Sequence, residues 1–142
     1  MNNKTVFISH SADETKAFAA KLAKTLEGGS VLCMYGDLGA GKTAFVQGMA
    51  EGLLVTDYVS SPTFTIINEY NGALPLYHFD VYRISDSEEM YEIGFEEYIN
   101  SDGICVIEWA ELIEDILPES RINITINKLS ADDEREITVE VI

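Results

Sequence analysis

The sequence is short of positive charge: nine Lys and Arg stand against 25 Asp and Glu in 142 residues, a net charge of −16. A protein that held nucleic acid directly would need a cationic stripe to neutralise phosphates, and this chain does not supply one. Any role in RNA chemistry therefore has to run through a partner. Cysteine is scarce as well. Cys33 and Cys105 each lie inside an apolar strand candidate with no Cys or His at ligand spacing. They read as reduced, buried thiols, and suggest neither a zinc site nor a disulfide framework. No apolar run approaches the roughly 18 residues of a membrane span. Met1-Asn2-Asn3-Lys4-Thr5 lacks the apolar core of a signal peptide, so the expected location is the cytoplasm. Internal repeats, low-complexity tracts and linkers are missing, and a chain of this length fits one domain spanning 1–142.

What the chain does have is the stretch Gly36-Asp37-Leu38-Gly39-Ala40-Gly41-Lys42-Thr43. It satisfies G-x-x-x-x-G-K-[ST], the pattern in which backbone N–H groups of a glycine-rich turn cradle nucleotide phosphates. Gly36 and Gly41 permit backbone angles and close approach that a Cβ would forbid, and Gly39 keeps the middle of the loop small. Lys42 can place its ammonium between two phosphates, and Thr43 can offer its hydroxyl to Mg²⁺. The flanks agree with this reading. Val31-Leu32-Cys33-Met34-Tyr35 is a short apolar strand, and Ala44 opens a helix with Phe45, Val46, Met49 and Leu53 at helical spacing. Anion binding at a helix N-terminus requires that succession of strand, loop and helix.

The remaining elements follow in order. Thr5 to Ile8 is a strand, and Ser11-Ala12-Asp13-Glu14 has the form of a capping box that starts a helix. Phe18, Ala19, Leu22, Ala23 and Leu26 line one face of that helix, and Gly28-Gly29 stops it. Ser60-Ser61-Pro62-Thr63-Phe64 leads into the strand Thr65 to Tyr70. Its position suits a segment that senses a terminal phosphate, with Thr63 as the residue to watch, and it suits an ordinary proline turn equally well. Asn71-Gly72 signals a hairpin into the strand Leu74 to Asp80. On that strand His78 and Asp80 share a face, and Asp80 reads either as a metal-directed carboxylate or as a turn residue. Asp86 to Glu92 and Phe95 to Ile99 are short acidic helices broken at Gly94. Ile104-Cys105-Val106-Ile107 is a strand buried on both faces. It ends in Glu108-Trp109, where a carboxylate at the strand's C-terminal edge can hold Mg²⁺ or orient an attacking water. Glu111 to Leu117 reads as an amphipathic helix ended by Pro118, and Arg121 to Lys128 with Arg135 to Ile142 as a terminal hairpin.

Three classes share such a phosphate loop. A small GTPase needs N-K-x-D to read guanine. Asn127-Lys128-Leu129-Ser130 comes close, but Ser130 stands where the Asp must be, and no D-x-x-G switch occurs. A small kinase closes an arginine-bearing lid over its substrates. Only Arg83, Arg121 and Arg135 are present, with no insertion long enough for a lid. An ATPase, or a nucleotide-gated binding module, remains.

Four blocks in sequence order, Gly36 to Thr43, Ser61-Pro62-Thr63-Phe64, His78-Phe79-Asp80-Val81-Tyr82-Arg83 and Ile107-Glu108-Trp109-Ala110-Glu111, together resemble the bacterial TsaE family, also called YjeE. The resemblance spans nearly the whole chain. It implies an α/β P-loop NTPase fold: a single compact three-layer domain with a mixed, partly parallel central sheet flanked by helices. It also implies ATP hydrolysis coupled to a complex with TsaD and TsaB, which makes N6-threonylcarbamoyladenosine at position 37 of tRNAs reading ANN codons. In that system the ATPase resets the synthase, and tRNA is met only through the partners. The alternative is a non-catalytic, nucleotide-gated docking module of the same complex. By the same likeness ATP phosphates are held by Lys42 and by the loop from Asp37, Leu38, Gly39, Ala40 and Gly41 to Thr43 and Ala44. Thr43 with Asp80 or Glu108 serves Mg²⁺, Glu108 positions water, Thr63 lies in the switch-like segment, and Trp109 lies near the nucleotide.

Overall fold

A computed structural model of the chain describes residues 3–36, 41–57, 59 and 66–142. The strand Val31–Gly36 (β2) runs through the middle of the molecule because its first four side chains are all buried, which only a strand covered on both faces allows. Ile104–Glu108 (β5) is buried at every position and lies parallel to it. Leu76–Asp80 (β4) continues the parallel sheet beyond β5, and Ile122–Lys128 (β6) continues it on the other side of β2. Antiparallel strands close both flanks. Ile67–Tyr70 (β3) pairs with β4, while Arg135–Val141 (β7) and Lys4–Ser9 (β1) extend the sheet beyond β6. The full order is β1-β7-β6-β2-β5-β4-β3.

Two apolar layers cover this sheet. On one face Ala12–Thr25 (α1) and Lys42–Gly52 (α2) pack against Leu32, Met34, Leu76, Ile104, Val106 and Ile124. On the other, Glu89–Glu92 (α3), Phe95–Ile99 (α4) and the segment after β5 enclose Cys33, Phe79, Cys105 and Ile107. The arrangement is thus three layers around a mixed sheet, as the resemblance implied. Phe45, Val46 and Met49 of α2 are fully buried, each contributing about 1.5–3 kcal/mol of transfer free energy. The two helices approach closely because α2 offers no side chain where they cross. A Cβ on Gly48 would lie 2.3 Å from the Lys16 carbonyl oxygen, and one on Gly52 would lie 2.4 Å from that of Ala20.

Local signals explain several ends. Ser11 Oγ accepts from the Glu14 N–H at 3.1 Å, so the cap of α1 forms as read. The Glu14 carboxylate, however, accepts from the backbone N–H of His10, one residue before the cap. The β3–β4 connection occupies residues 71–75, and the Ala73 N–H donates to the Leu53 carbonyl at 2.6 Å, tying the hairpin to the end of α2. β4 starts at Leu76, not at Leu74, because Pro75 has no N–H for the ladder; its carbonyl instead accepts from Ile104 N–H at 2.8 Å.

One expected element takes another form. The amphipathic helix read over Glu111 to Leu117 is a run of 3₁₀ turns over Ala110–Ile116, with Ile113 out of helical geometry at φ −131°. Trp109 enters the run in the left-handed region at φ 64°, and Leu117 leaves it extended, as a residue before proline must. The departure at Ile113 splits the run into residues 110–112 and 114–116, each too short to close the i→i−4 bonds of an α-helix. No helix among the described residues is long and apolar enough to cross a membrane.

Candidate functional site

β2 delivers the chain to the C-terminal edge of the parallel strands, and α2 begins there at Lys42. Gly36, the last residue of β2, has φ 127°, and a Cβ on it would lie 2.0 Å from the Ile126 carbonyl oxygen. Backbone packing against β6 therefore demands glycine at this position independently of any ligand. Asp37, Leu38, Gly39 and Ala40, read as the body of the loop, lie outside the described residues, as does Thr63 with the segment Ser60 to Thr65.

The start of α2 has the features that suit an anion. Gly41 caps it in the left-handed conformation without a side-chain hydrogen bond, and the first turn contains no acidic residue. Its leading N–H groups thus have no carboxylate of the helix to meet, and they carry the positive end of the helix dipole. Lys42 is 7% exposed, and its Nζ has no hydrogen-bond partner among the described residues. A buried ammonium without an acceptor is costly, so the geometry fits an anion such as a phosphate beside it. In the structure the Nζ lies over the Trp109 ring, 4.5 Å from its centroid, an attraction worth about 0.5–2 kcal/mol. Tyr82 packs on the same indole at 4.8 Å between ring centroids. Thr43 is exposed beside Lys42, and Ala44 is half-buried.

Two carboxylates face this helix. Asp80 and Glu108 end β4 and β5 and are register partners, so their side chains leave the sheet on one face. That face also carries Leu76, Ile104 and Val106, which pack against α1 and α2. Half-burial raises the Asp80 carboxyl above its usual range; the Tyr82 N–H, donating to Oδ1 at 3.1 Å, opposes this, and the Glu108 carboxylate reinforces it. The neighbouring Lys42 ammonium also favours the ionised form of Asp80. The structure therefore brings together Lys42, Trp109, Asp80 and Glu108, four residues the sequence had marked separately.

One partner was not assigned from sequence. His78, fully buried in β4, bonds through Nε2 to Glu108 Oε2 at 2.5 Å. Its signal was present: a histidine interrupting an apolar strand, on the same face as Asp80. What could not be read was the β4–β5 register that sets it next to Glu108. No group of three or more His, Cys, Asp or Glu able to hold a metal occurs among the described residues. Mg²⁺ at a nucleotide requires less, taking one or two protein ligands together with phosphate and water oxygens. An anion beside two carboxylates also needs such a cation between them to offset repulsion.

A parallel strand leading to an unpartnered lysine at a helix N-terminus, with carboxylates on the neighbouring strand ends, defines a P-loop NTPase-type protein. The fold matches a crystal structure of YdiB from Bacillus subtilis with a TM-score of 0.82 and 45% identity, covering 99% of this chain and 87% of that one. The chain belongs to the TsaE family, whose model, described as threonylcarbamoyl adenosine biosynthesis protein TsaE, matches residues 9–137. It is 56% identical over 127 residues to the tRNA threonylcarbamoyladenosine biosynthesis protein TsaE of Bacillus subtilis, covering 89% of this chain and 78% of the relative. It is 45% identical over 132 residues to the TsaE of Treponema pallidum, covering 93% and 97%.

Proposed function

We propose that this protein is a Mg²⁺-dependent ATPase required for threonylcarbamoylation of adenosine 37 in tRNAs that read ANN codons. It acts with TsaB and TsaD, resetting the synthase by binding and hydrolysing ATP, and meets tRNA only through those partners. The observation that carries the reading is the buried Lys42 ammonium, unpartnered at the N-terminus of α2 and facing two strand-end carboxylates. Family membership supplies the pathway. The preference for ATP is supported by the position of Asn127 and Lys128. They are held in the β6–β7 ladder opposite Glu136 and Arg135, with Ser130 in place of a guanine-reading carboxylate.

In this reading Lys42 and the amides of residues 37–44 bind the phosphates. Thr43 and Asp80, with Glu108 as the further candidate, hold Mg²⁺, which when bound supplies charge neutralisation at the phosphates. Glu108 orients the attacking water and accepts its proton at a carboxylate oxygen. Trp109 keeps Lys42 at the mouth of the site through its ring face.

Nucleotide binding is testable without partners because Trp109 is the only tryptophan of the chain and touches Lys42. Titrating Mg·ATP into the protein should change its tryptophan emission, and Lys42→Ala should weaken the measured affinity by about a hundredfold, since charge-assisted bonds to phosphate are lost. Unchanged affinity in the variant would remove the phosphate-binding assignment.

A further inference from the structure

His78 sits on β4 between apolar neighbours and the strand-end Asp80: Leu76 is two residues before it on the same face, and Val106 is its register partner on β5. His78, Leu76 and Val106 are fully buried. An aliphatic side chain would fill this place without the desolvation that an imidazole suffers, so the histidine's hydrogen bond is what distinguishes it. That bond runs to Glu108 Oε2, while Nδ1 has no partner among the described residues. Nε2 is therefore the nitrogen that carries the bonding proton, donated to the carboxylate. The bond occupies one Glu108 oxygen from inside the sheet and leaves Oε1 as the oxygen that can accept from a water. Met34, the register partner of Glu108 on β2, is fully buried and offers no competing hydrogen bond.

We infer that His78 is a positioning residue for Glu108: it pins the carboxylate at the end of β5 in the orientation that water activation requires. The inference rests on the proposed ATPase reading and names a residue that acts through Glu108 without touching the nucleotide. Losing the pin leaves Glu108 in place chemically but free to rotate. Misorientation of a catalytic group of this kind lowers rate by about 10–100-fold while leaving ground-state binding intact.

The test compares His78→Ala, His78→Leu and His78→Gln with the parent protein, each assembled with TsaB, TsaD and tRNA. His78→Ala and His78→Leu should lower kcat by about 10–100-fold with KM and tryptophan-monitored ATP affinity held within about twofold. His78→Gln, whose amide nitrogen reaches the place of Nε2, should recover most of kcat. A second readout uses the protein without nucleotide. Its proton NMR spectrum should contain a downfield imidazole N–H resonance that disappears in both His78→Gln and Glu108→Ala. Parent-like kcat in His78→Leu, or a loss of kcat that Gln does not recover and that follows a loss of ATP affinity, would overturn the inference. If the parent complex does not hydrolyse ATP at all, the ATPase reading falls and the positioning role falls with it. Hydrolysis by the parent that is indifferent to His78 overturns the positioning role alone.

Discussion

At the scale of single residues, the site combines groups that would be unfavourable elsewhere. Lys42 buries an ammonium against an indole, Trp109 holds a left-handed backbone at φ 64°, and His78 and Glu108 share a hydrogen bond in an apolar layer. Such departures cluster where a ligand repays them. The cysteines make a useful contrast. Cys33 and Cys105 are buried on the opposite face of the sheet, and burial pushes both thiols up to about 12. Because the raised value leaves almost no thiolate below pH 9, a maleimide or disulfide reagent at pH 8 should label neither residue in the native protein and both in urea. Rapid native labelling would contradict the packing around β2 and β5.

At the scale of elements, the close crossing of α1 and α2 fixes where the N-terminal end of α2, with Lys42, stands. Gly48→Ala should raise intrinsic helix propensity by about 1 kcal/mol, yet its Cβ would press on the Lys16 carbonyl. Overpacking is expected to dominate, lowering stability by about 1–3 kcal/mol in urea unfolding, and a stabilised variant would show that the helices can part freely. The elements differ in how much the sequence reveals of them. β5 was legible because a continuous apolar run has few other uses, and α1 because Ser11 and Glu14 mark its start. The 3₁₀ segment was not, since Glu111 to Leu117 shows the same apolar spacing whether it winds as an α-helix or as tighter turns. Its form follows from the conformations of Trp109 and Leu117 at its two ends. The strand order was also hidden: β7 inserts between β1 and β6 through contacts that span nearly the whole chain. The candidate site was legible as a set of separate residues. Its internal bond, His78 to Glu108, depended on a register between strands 30 residues apart.

At the scale of the whole molecule, a net charge of −16 sits uneasily with direct binding of tRNA and agrees with an ATPase that works through protein partners. The candidate site is built on the strand ends and one helix N-terminus, so under the proposed function a partner resting on that edge would sense whether nucleotide is present. The measurement that tests the central claim most directly is ATP hydrolysis with Mg²⁺ by the parent chain and by Glu108→Ala, alone and with TsaB, TsaD and tRNA. Hydrolysis should rise when the partners are added and fall by about 10²–10⁴ in the variant, with ATP still bound. ATP binding accompanied by flat hydrolysis, unchanged by the partners and by the substitution, would contradict it and leave a nucleotide-gated docking module in its place.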